Sequence, residues 1–274
     1  MSTAALDLES SQWLRDLNAN DAERNEAIER LHALLLRVAR AEAARRRAST
    51  SQVRTEEIDD LCTQAASDAL MAVLAKLGTY RGAARFTTWA CKFAIFETST
   101  RLRRQAWRDR NVEPDESIWN RLADTKPHAL RQIENEQLVS ALHRAIDERL
   151  TERQRLVFRS AALDEVPIDV LAERHGTSRG AIYKMLHDAR RRLRRPPAMT
   201  NFDLEKLLGA AGADPGCDAA GELMDAYCEA IANGGPVAPQ FDEFVRHMRN
   251  CTACREDTEG LLAILQQEEE SDER

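Results

Sequence analysis

The chain has few residues of the kinds that interrupt helices or fill large cores. Its 274 residues include only 11 Gly and 8 Pro, and aromatic residues make up 5%. Gly and Pro are the residues least compatible with a helix interior, and no stretch alternates Val, Ile and Thr with polar residues as a strand does. We therefore predict an all-α fold. The low aromatic content suits several small helical modules, so a single large enzyme core is not required.

Long apolar runs are also missing. The first thirty residues carry charges throughout, and nowhere do eighteen consecutive apolar residues occur, which argues against a signal peptide and a membrane-spanning helix. We expect a soluble, cytoplasmic protein. In a reducing compartment six cysteines are not expected to form a disulfide framework, so closely spaced cysteines point to metal or redox chemistry.

Charge is unevenly distributed along the chain. Residues 1–200 carry 34 Lys+Arg against 29 Asp+Glu, a net charge of +5, whereas residues 201–274 carry 5 against 17, a net charge of −12. A basic body followed by an acidic appendage predicts a nucleic-acid-binding protein with a separate part that does not bind nucleic acid and could compete with it.

Apolar residues recur at helical spacing through most of the chain. Gly78 is predicted to end one helix as a C-cap, and a polar break at 45–55 to form an exposed loop. The acidic run 268–273 is expected to be disordered. The main predicted helices cover residues 27–44, 56–77, 87–107, 131–163 with a break before Thr151 as N-cap, 168–175 and 179–195.

Residues 170–184 have the layout of a helix-turn-helix. Ala172 allows a close helix crossing, Gly176 supplies the turn, Ser178 caps the second helix, and Ile182 and Leu186 point to the core. The residues left on the outward side, where a recognition helix meets base edges, are Arg179, Gly180, Tyr183 and Lys184. The basic residues that would contact phosphates further along are Arg190, Arg191, Arg192, Arg194 and Arg195.

The residues around this motif resemble a known family. Residues 150–158 (LTERQRLVF) and 166–172 (VPIDVLA) resemble the fourth conserved region of sigma factors. Upstream, Asp59-Asp60-Leu61, Tyr80-Arg81-Gly82, the run 85–90 (RFTTWA) and 101–104 (RLRR) resemble the second conserved region. The order and spacing resemble the two-domain, extracytoplasmic-function type over residues 25–195. The chain departs from the family pattern at Gln64 and Ala66.

This resemblance implies binding to core RNA polymerase and to promoter DNA, without an enzymatic activity of the chain itself. Polymerase contacts are implied for Asp59, Asp60, Gln64 and Asp68. Contacts to the minus-ten promoter element are implied for Arg81, Arg85, Lys92, Arg101, Arg103 and Arg104. The helix-turn-helix would bind the minus-thirty-five element. Trp89 shares helical spacing with Phe86 and Phe93, which favours a core position over a base-stacking role.

A second motif, His247-x3-Cys251-x2-Cys254, lies near the C-terminus. One helical turn separates His247 from Cys251, and the short Cys251–Cys254 spacing lets both thiolates reach one tetrahedral ion. The spacing leaves Cys217 and Cys228 as candidates for the fourth ligand. The segment resembles the zinc-binding anti-sigma fold, which implies Zn²⁺ as cofactor, Cys217 as the fourth ligand and Cys228 as a core residue.

Together these patterns divide the chain into an N-terminal extension (1–24), a region-2-like domain (25–107), a linker (108–130), a region-4-like domain (131–195), a tether (196–213), a zinc-binding anti-sigma-like domain (214–265) and an acidic tail (266–274). The alternative interpretation is a stand-alone helix-turn-helix regulator, which would have no reason to carry the basic cluster at 85–104. A zinc hydrolase is disfavoured because four protein ligands would leave no open position for water. The expected regulation in cis would involve contact between the C-terminal domain and the sigma-like domains.

Overall fold

The computed structural model describes residues 6–47, 55–109, 143–162, 166–194, 216–234 and 237–272. Every regular element in these ranges is a helix, which confirms the all-α prediction. Among the described helices, none combines the length and apolarity needed to cross a bilayer. The predicted linker and tether lie almost wholly outside the described residues, as does Arg195.

The helices are numbered in chain order. They are α1 (Leu8–Leu17), α2 (Asp21–Arg47), α3 (Thr55–Lys76), α4 (Phe86–Asp109), α5 (143–149), α6 (Glu152–Ala162), α7 (Ile168–Arg174), α8 (Arg179–Arg194), α9 (Gly216–Ala232), α10 (Asp242–Asn250) and α11 (Thr252–Asp272). Two 3-10 turns, Leu77–Thr79 and Pro239–Phe241, precede the loop before α4 and helix α10.

The chain forms two compact units. The first joins residues 1–106 to residues 217–274, and the second contains residues 107–216. The segment predicted to form a separate C-terminal domain is therefore grouped with the N-terminal helices. Its sequence boundary at 214 nearly coincides with the point at which the chain returns to the first unit.

One hydrophobic core holds the first unit together. It contains Leu31 and Leu35 from α2 and Phe86 and Ile95 from α4, all of them fully buried. The C-terminal helices contribute to the same cluster through Ala220, Met224, Cys228, Phe244, Leu261, Ile264 and Leu265. Helices in proteins gain most of their stability by packing an apolar face on other elements, and α9–α11 do so within the core that they share with α2 and α4.

Helix α1, assigned from sequence to an N-terminal extension, is part of this core. Ser10 is buried, and its Oγ accepts a 2.8 Å hydrogen bond from the backbone N–H of Phe86 at the start of α4. The Trp13 ring stacks on Phe86 at 5.6 Å between centroids, and Leu17 is buried. Helix α1 therefore caps and covers the N-terminus of α4.

Three helix ends differ from the sequence-based predictions. Helix α2 continues through Arg47, beyond the loop start expected at 45, because Arg46 pairs with Glu42 one turn earlier. Helix α3 ends at Lys76, and Gly78 lies within a 3-10 turn without the left-handed φ of a C-cap glycine. Helix α11 runs to Asp272, since the predicted disordered run follows buried turns and consists largely of Glu, a good helix former.

The second unit has its own core, with Ile146, Val157, Phe158, Leu171 and Ile182 among its buried residues. Thr151 begins α6 with a reciprocal capping box. Its Oγ1 accepts from the Gln154 N–H, and Gln154 Oε1 accepts from the Thr151 N–H, both at 3.3 Å. This confirms the predicted N-cap and fixes the start of the helix that supports the helix-turn-helix.

Candidate metal centre and nucleic-acid surfaces

Four residues with metal-ligating side chains come together where three helices meet. Cys217 lies in the first turn of α9, His247 in the last turn of α10, Cys251 between α10 and α11, and Cys254 in the first turn of α11. Their ligand atoms all lie within 4.8 Å of one another. The structure therefore brings together the four side chains predicted as ligands and leaves Cys228 outside the cluster.

The donor set fits a closed tetrahedral site. The Sγ atoms of Cys217 and Cys251 are 3.7 Å apart, and two sulfurs on one zinc ion with Zn–S bonds of about 2.3 Å lie about 3.8 Å apart. His247 is 2% exposed and Cys254 is buried, whereas the other two cysteines are half-buried. Three sulfurs and one imidazole suit a metal ion of the zinc class and leave no position for a reacting water.

The local backbone explains how these side chains converge. Gly216 has a φ of +82°, a left-handed conformation that turns the chain into α9 immediately before Cys217. Cys251 is extended (φ −126°, ψ 100°), and its N–H donates to the His247 carbonyl at 2.9 Å, so the chain bends sharply between α10 and α11. That bend places the Cys251 and Cys254 sulfurs on the same side as the His247 ring.

The thiols of the cluster perturb one another. Hydrogen bonds from Cys217 and Cys254 lower the pKa of Cys251, because they stabilise its thiolate. The shared hydrogen bonds raise the pKa of Cys254 in turn. A lower pKa favours the thiolate of Cys251, and the thiolate is the form in which cysteine binds metals.

The remaining cysteines are core residues. Cys62, Cys91 and Cys228 are buried, and Cys228 Sγ points to the Thr258 carbonyl oxygen at 3.8 Å. Burial raises the pKa of the Cys228 thiol. Burial of Cys228 agrees with its predicted place in the core, and Cys62 and Cys91 are likewise small core residues.

Acidic side chains of α9 lie directly on basic side chains of α4. Lys92 Nζ donates to Asp225 Oδ1 at 2.6 Å, and the two side chains are 7% and 6% exposed. Glu229, one turn further along α9, accepts from Arg85 Nε at 2.8 Å and from Thr88 Oγ1 at 2.6 Å. Two residues predicted to contact the minus-ten element are therefore paired with carboxylates of the C-terminal segment.

A second charged contact joins α11 to α2 and α4. Asp257 accepts from Arg46 at 2.6 Å and from Arg103 at 3.2 Å, and Arg46 also pairs with Glu42. Burial raises the pKa of Asp257, while the two guanidinium groups oppose that shift. A Cβ added at Gly260 would lie 2.5 Å from a carboxylate oxygen of Glu42, so a larger residue there would have to shift the Glu42 side chain away from its pairs with Arg45 and Arg46.

The other residues predicted to contact the minus-ten element have mixed environments. Arg81 is exposed and donates to the carbonyl of Gly78 at 3.0 Å. Arg101 pairs with Asp68 and Glu97, and Arg104 is half-buried. Trp89 is buried among Tyr80, Phe86 and Phe93, which confirms its predicted core position.

The residues predicted to bind polymerase lie on the outer side of α3. Asp59, Asp60, Gln64 and Asp68 are all exposed. The inner side of the helix, with Ala65, Ala66, Ala69 and Val73, is buried in the core. The four residues thus share an accessible surface, and their role as polymerase contacts stays a prediction.

The second unit contains the predicted helix-turn-helix in α7 and α8. Gly176 has a φ of +56° in the turn, and Ser178 Oγ accepts from the Ala181 N–H at 3.2 Å as an N-cap. Ile182 and Leu186 are buried. On the outward side, Arg179, Lys184 and Arg191 are exposed, while Gly180, Tyr183 and Arg190 are half-buried.

The acidic residues that contact α4 were not predicted from the sequence. Asp225 and Glu229 are one helical turn apart on α9, and that i, i+4 spacing was the available signal. Asp257 had no such signal. Nothing in a single sequence says which basic helix a carboxylate will meet.

Comparison with protein families shows that residues 140–193 match the sigma-70, region 4 family. The match covers the described helices α5–α8. Neither the curated proteins nor the solved structures gave a match to the chain. The match lies within the second unit and supports a sigma-factor or related DNA-binding role.

Proposed function

We propose that the chain is a sigma factor of the extracytoplasmic-function type that binds core RNA polymerase and directs promoter-specific initiation. Its C-terminal segment is a zinc-binding, anti-sigma-like domain that regulates it in cis. The observation that carries the proposal is the contact of α9 carboxylates with the basic side chains of α4, in a chain whose other unit matches sigma-70 region 4.

Promoter recognition is assigned to two basic surfaces. The N-terminal half of α8 presents Arg179 and Lys184 to solvent next to Gly180, the arrangement that lets a recognition helix approach base edges. In the other unit, Arg81 and Arg85 flank Gly82 ahead of α4. Their cations suit the phosphates of a melted strand.

Regulation in cis is supported by charge and by tethering. Asp225 and Glu229 place carboxylates where DNA phosphates would neutralise Lys92 and Arg85. Because the acidic segment is part of the same chain, its effective concentration at α4 is high and even a weak contact would be occupied much of the time. DNA and the segment would therefore compete for the same cations.

Zinc is assigned to the four-residue cluster for a structural purpose. An ion bound by Cys217, His247, Cys251 and Cys254 would tie the start of α9 to α10 and α11. The same helix α9 carries the carboxylates that meet α4. The metal would thereby hold the regulatory helix in its observed geometry.

The test combines polymerase binding with transcription. Purified full-length protein is mixed with core RNA polymerase and a pool of genomic fragments, and co-purification and run-off transcripts are measured. We expect a stable complex and transcripts that begin at a small set of sites. Transcription should rise in an Asp225→Asn/Glu229→Gln variant.

Point variants are preferable to removal of residues 217–274, because that segment contributes to the core of the first unit. The control variant Glu222→Gln/Glu243→Gln removes the same charge from exposed positions of the segment. Tight sequence-specific DNA binding without any association with polymerase would favour the alternative, a stand-alone helix-turn-helix regulator.

A further inference from the structure

We infer that the C-terminal segment blocks promoter DNA and leaves the polymerase-binding surface of the same unit open. The inference rests on the proposed function and specifies the step that is regulated. With the C-terminal segment packed on α4, the chain would bind core RNA polymerase, but the complex could not bind promoter DNA.

The DNA face of the first unit is defined here as Arg85, Thr88, Lys92 and Arg103. Arg85 immediately precedes α4, and the spacing of the four residues places them on one side of that helix. All four hydrogen-bond to carboxylates of the C-terminal segment: Glu229 accepts from the first two, Asp225 from Lys92, and Asp257 from Arg103. A phosphate cannot occupy these positions while the carboxylates do, because the donors are already used and the added negative charge repels it.

The polymerase face is defined as Asp59, Asp60, Gln64 and Asp68 on α3. The Asp59 side chain is 61% exposed and that of Asp68 is 51% exposed. Met71, on the same helix, is 67% exposed although it is a large apolar residue. Asp59 pairs with Arg40 and Asp68 with Arg101, both on the N-terminal helices, and among the described residues no ion pair joins this face to the C-terminal segment.

The chemistry of the polymerase face also makes it better suited to a protein partner than to DNA. Asp60 and Asp68 lie on the side of α3 that carries exposed Met71, and carboxylates beside an exposed methionine suit a protein partner with basic and apolar groups better than they suit a phosphate. The C-terminal segment is itself acidic, with a net charge of −12 over residues 201–274. It is therefore matched to the basic DNA face and mismatched to the acidic face of α3.

The charge variant and its control distinguish an effect on polymerase binding from an effect on the use of promoter DNA. Binding of labelled core polymerase is measured for the wild-type chain, Asp225→Asn/Glu229→Gln and Glu222→Gln/Glu243→Gln. We expect the three dissociation constants to agree within about twofold, because the substitutions do not touch α3 and the amides of Asn and Gln, unlike the alanine side chain, keep an oxygen that accepts from Lys92 and Arg85. Run-off transcription from the fragment pool should rise about tenfold in the first variant only, within the range usual for coupling between two sites.

Two methionines of the wild-type chain provide a second test that does not depend on the variants. Met71 lies on α3 and is exposed, whereas Met224 lies on α9 and is fully buried in the shared core. Hydroxyl-radical footprinting of the full chain with core polymerase, without DNA, should show protection of Met71. Met224 should remain unreactive, because the segment stays in place.

Three outcomes would overturn the inference. The first is a gain in transcription by Asp225→Asn/Glu229→Gln that is matched by an equal gain in its affinity for core polymerase. The second is transcription by that variant that is no higher than by the wild-type chain. The third is oxidation of Met224 when polymerase binds, since that would mean that polymerase displaces the segment. If no form of the chain binds polymerase, the proposed sigma function itself fails, a result readily told apart from the other three.

Discussion

The buried pair of Lys92 and Asp225 offers a quantitative test of how firmly the C-terminal segment is held on α4. The Nζ–Oδ1 distance is 2.6 Å, and both side chains are less than a tenth exposed. Replacing Asp225 by Ala leaves the Lys92 ammonium buried without its carboxylate. The nearby Phe93 ring, 5.7 Å from Nζ, compensates only in small part.

The magnitude follows from burial. Removing one partner of a buried ion pair typically costs about 3–5 kcal/mol, whereas replacing both partners by apolar residues is often neutral or stabilising. We therefore expect Asp225→Ala to destabilise the first unit by about 3–5 kcal/mol, and Lys92→Met/Asp225→Leu to recover most of that loss. Against the stability typical of a domain, about 5–15 kcal/mol, the single change is large.

The assay is native-state hydrogen exchange of the full chain, followed separately in α4, α9 and α6. Amides of α4 and α9 should lose protection together in Asp225→Ala, because the two helices share one core. Amides of α6, in the second unit, should be unaffected, and Glu222→Ala serves as the control for loss of an exposed charge. A single variant as stable as the wild type, or a double variant as unstable as the single one, would refute the reasoning.

Three further predictions concern the metal site, the recognition helix and the capping box. Metal analysis should find about one zinc per chain. Zinc should be lost in Cys254→Ala and kept in Cys228→Ala, because the Cys228 thiol lies outside the cluster. Zinc retained in Cys254→Ala would contradict the site. Arg179→Ala or Lys184→Ala should weaken promoter binding by about 1–3 kcal/mol for a lost base contact, measured as the dissociation constant for promoter DNA. Unchanged binding in both variants would mean that α8 does not contact the bases. Thr151→Ala should lower the free energy of unfolding of the second unit by about 1 kcal/mol, measured by denaturant titration, and no change would mean that the hydrogen bonds at the start of α6 contribute little.

Much of the local structure could be predicted because it depends on neighbours in sequence. The turn glycine at 176, the cap at Ser178 and the N-cap at Thr151 were all identified from residue type and position. The four residues of the metal cluster were predicted with help from a family resemblance. Motifs of this kind carry their geometry within a few residues, so a pattern is sufficient to find them.

Helix ends were less predictable, for reasons visible in the structure. Arg46 looked like part of a polar loop, yet it continues α2 because Glu42 and Asp257 both accept its hydrogen bonds. One of these partners is a turn away and the other is more than two hundred residues away. Tertiary contacts of this kind override local preference, and a single sequence does not reveal them.

The sequence by itself determined the helical class, the helix-turn-helix, the region 4 similarity and the separation of a basic body from an acidic appendage. Each of these follows from composition, periodicity or short spacing. Only the tertiary structure decided where the appendage lies: in the core of the first unit, with Asp225, Glu229 and Asp257 on the basic side of α4 and the acidic side of α3 left open. The physical reason is that net charge predicts attraction between two parts of a chain but not its site, which depends on which apolar faces are buried together and which ions that burial brings into contact.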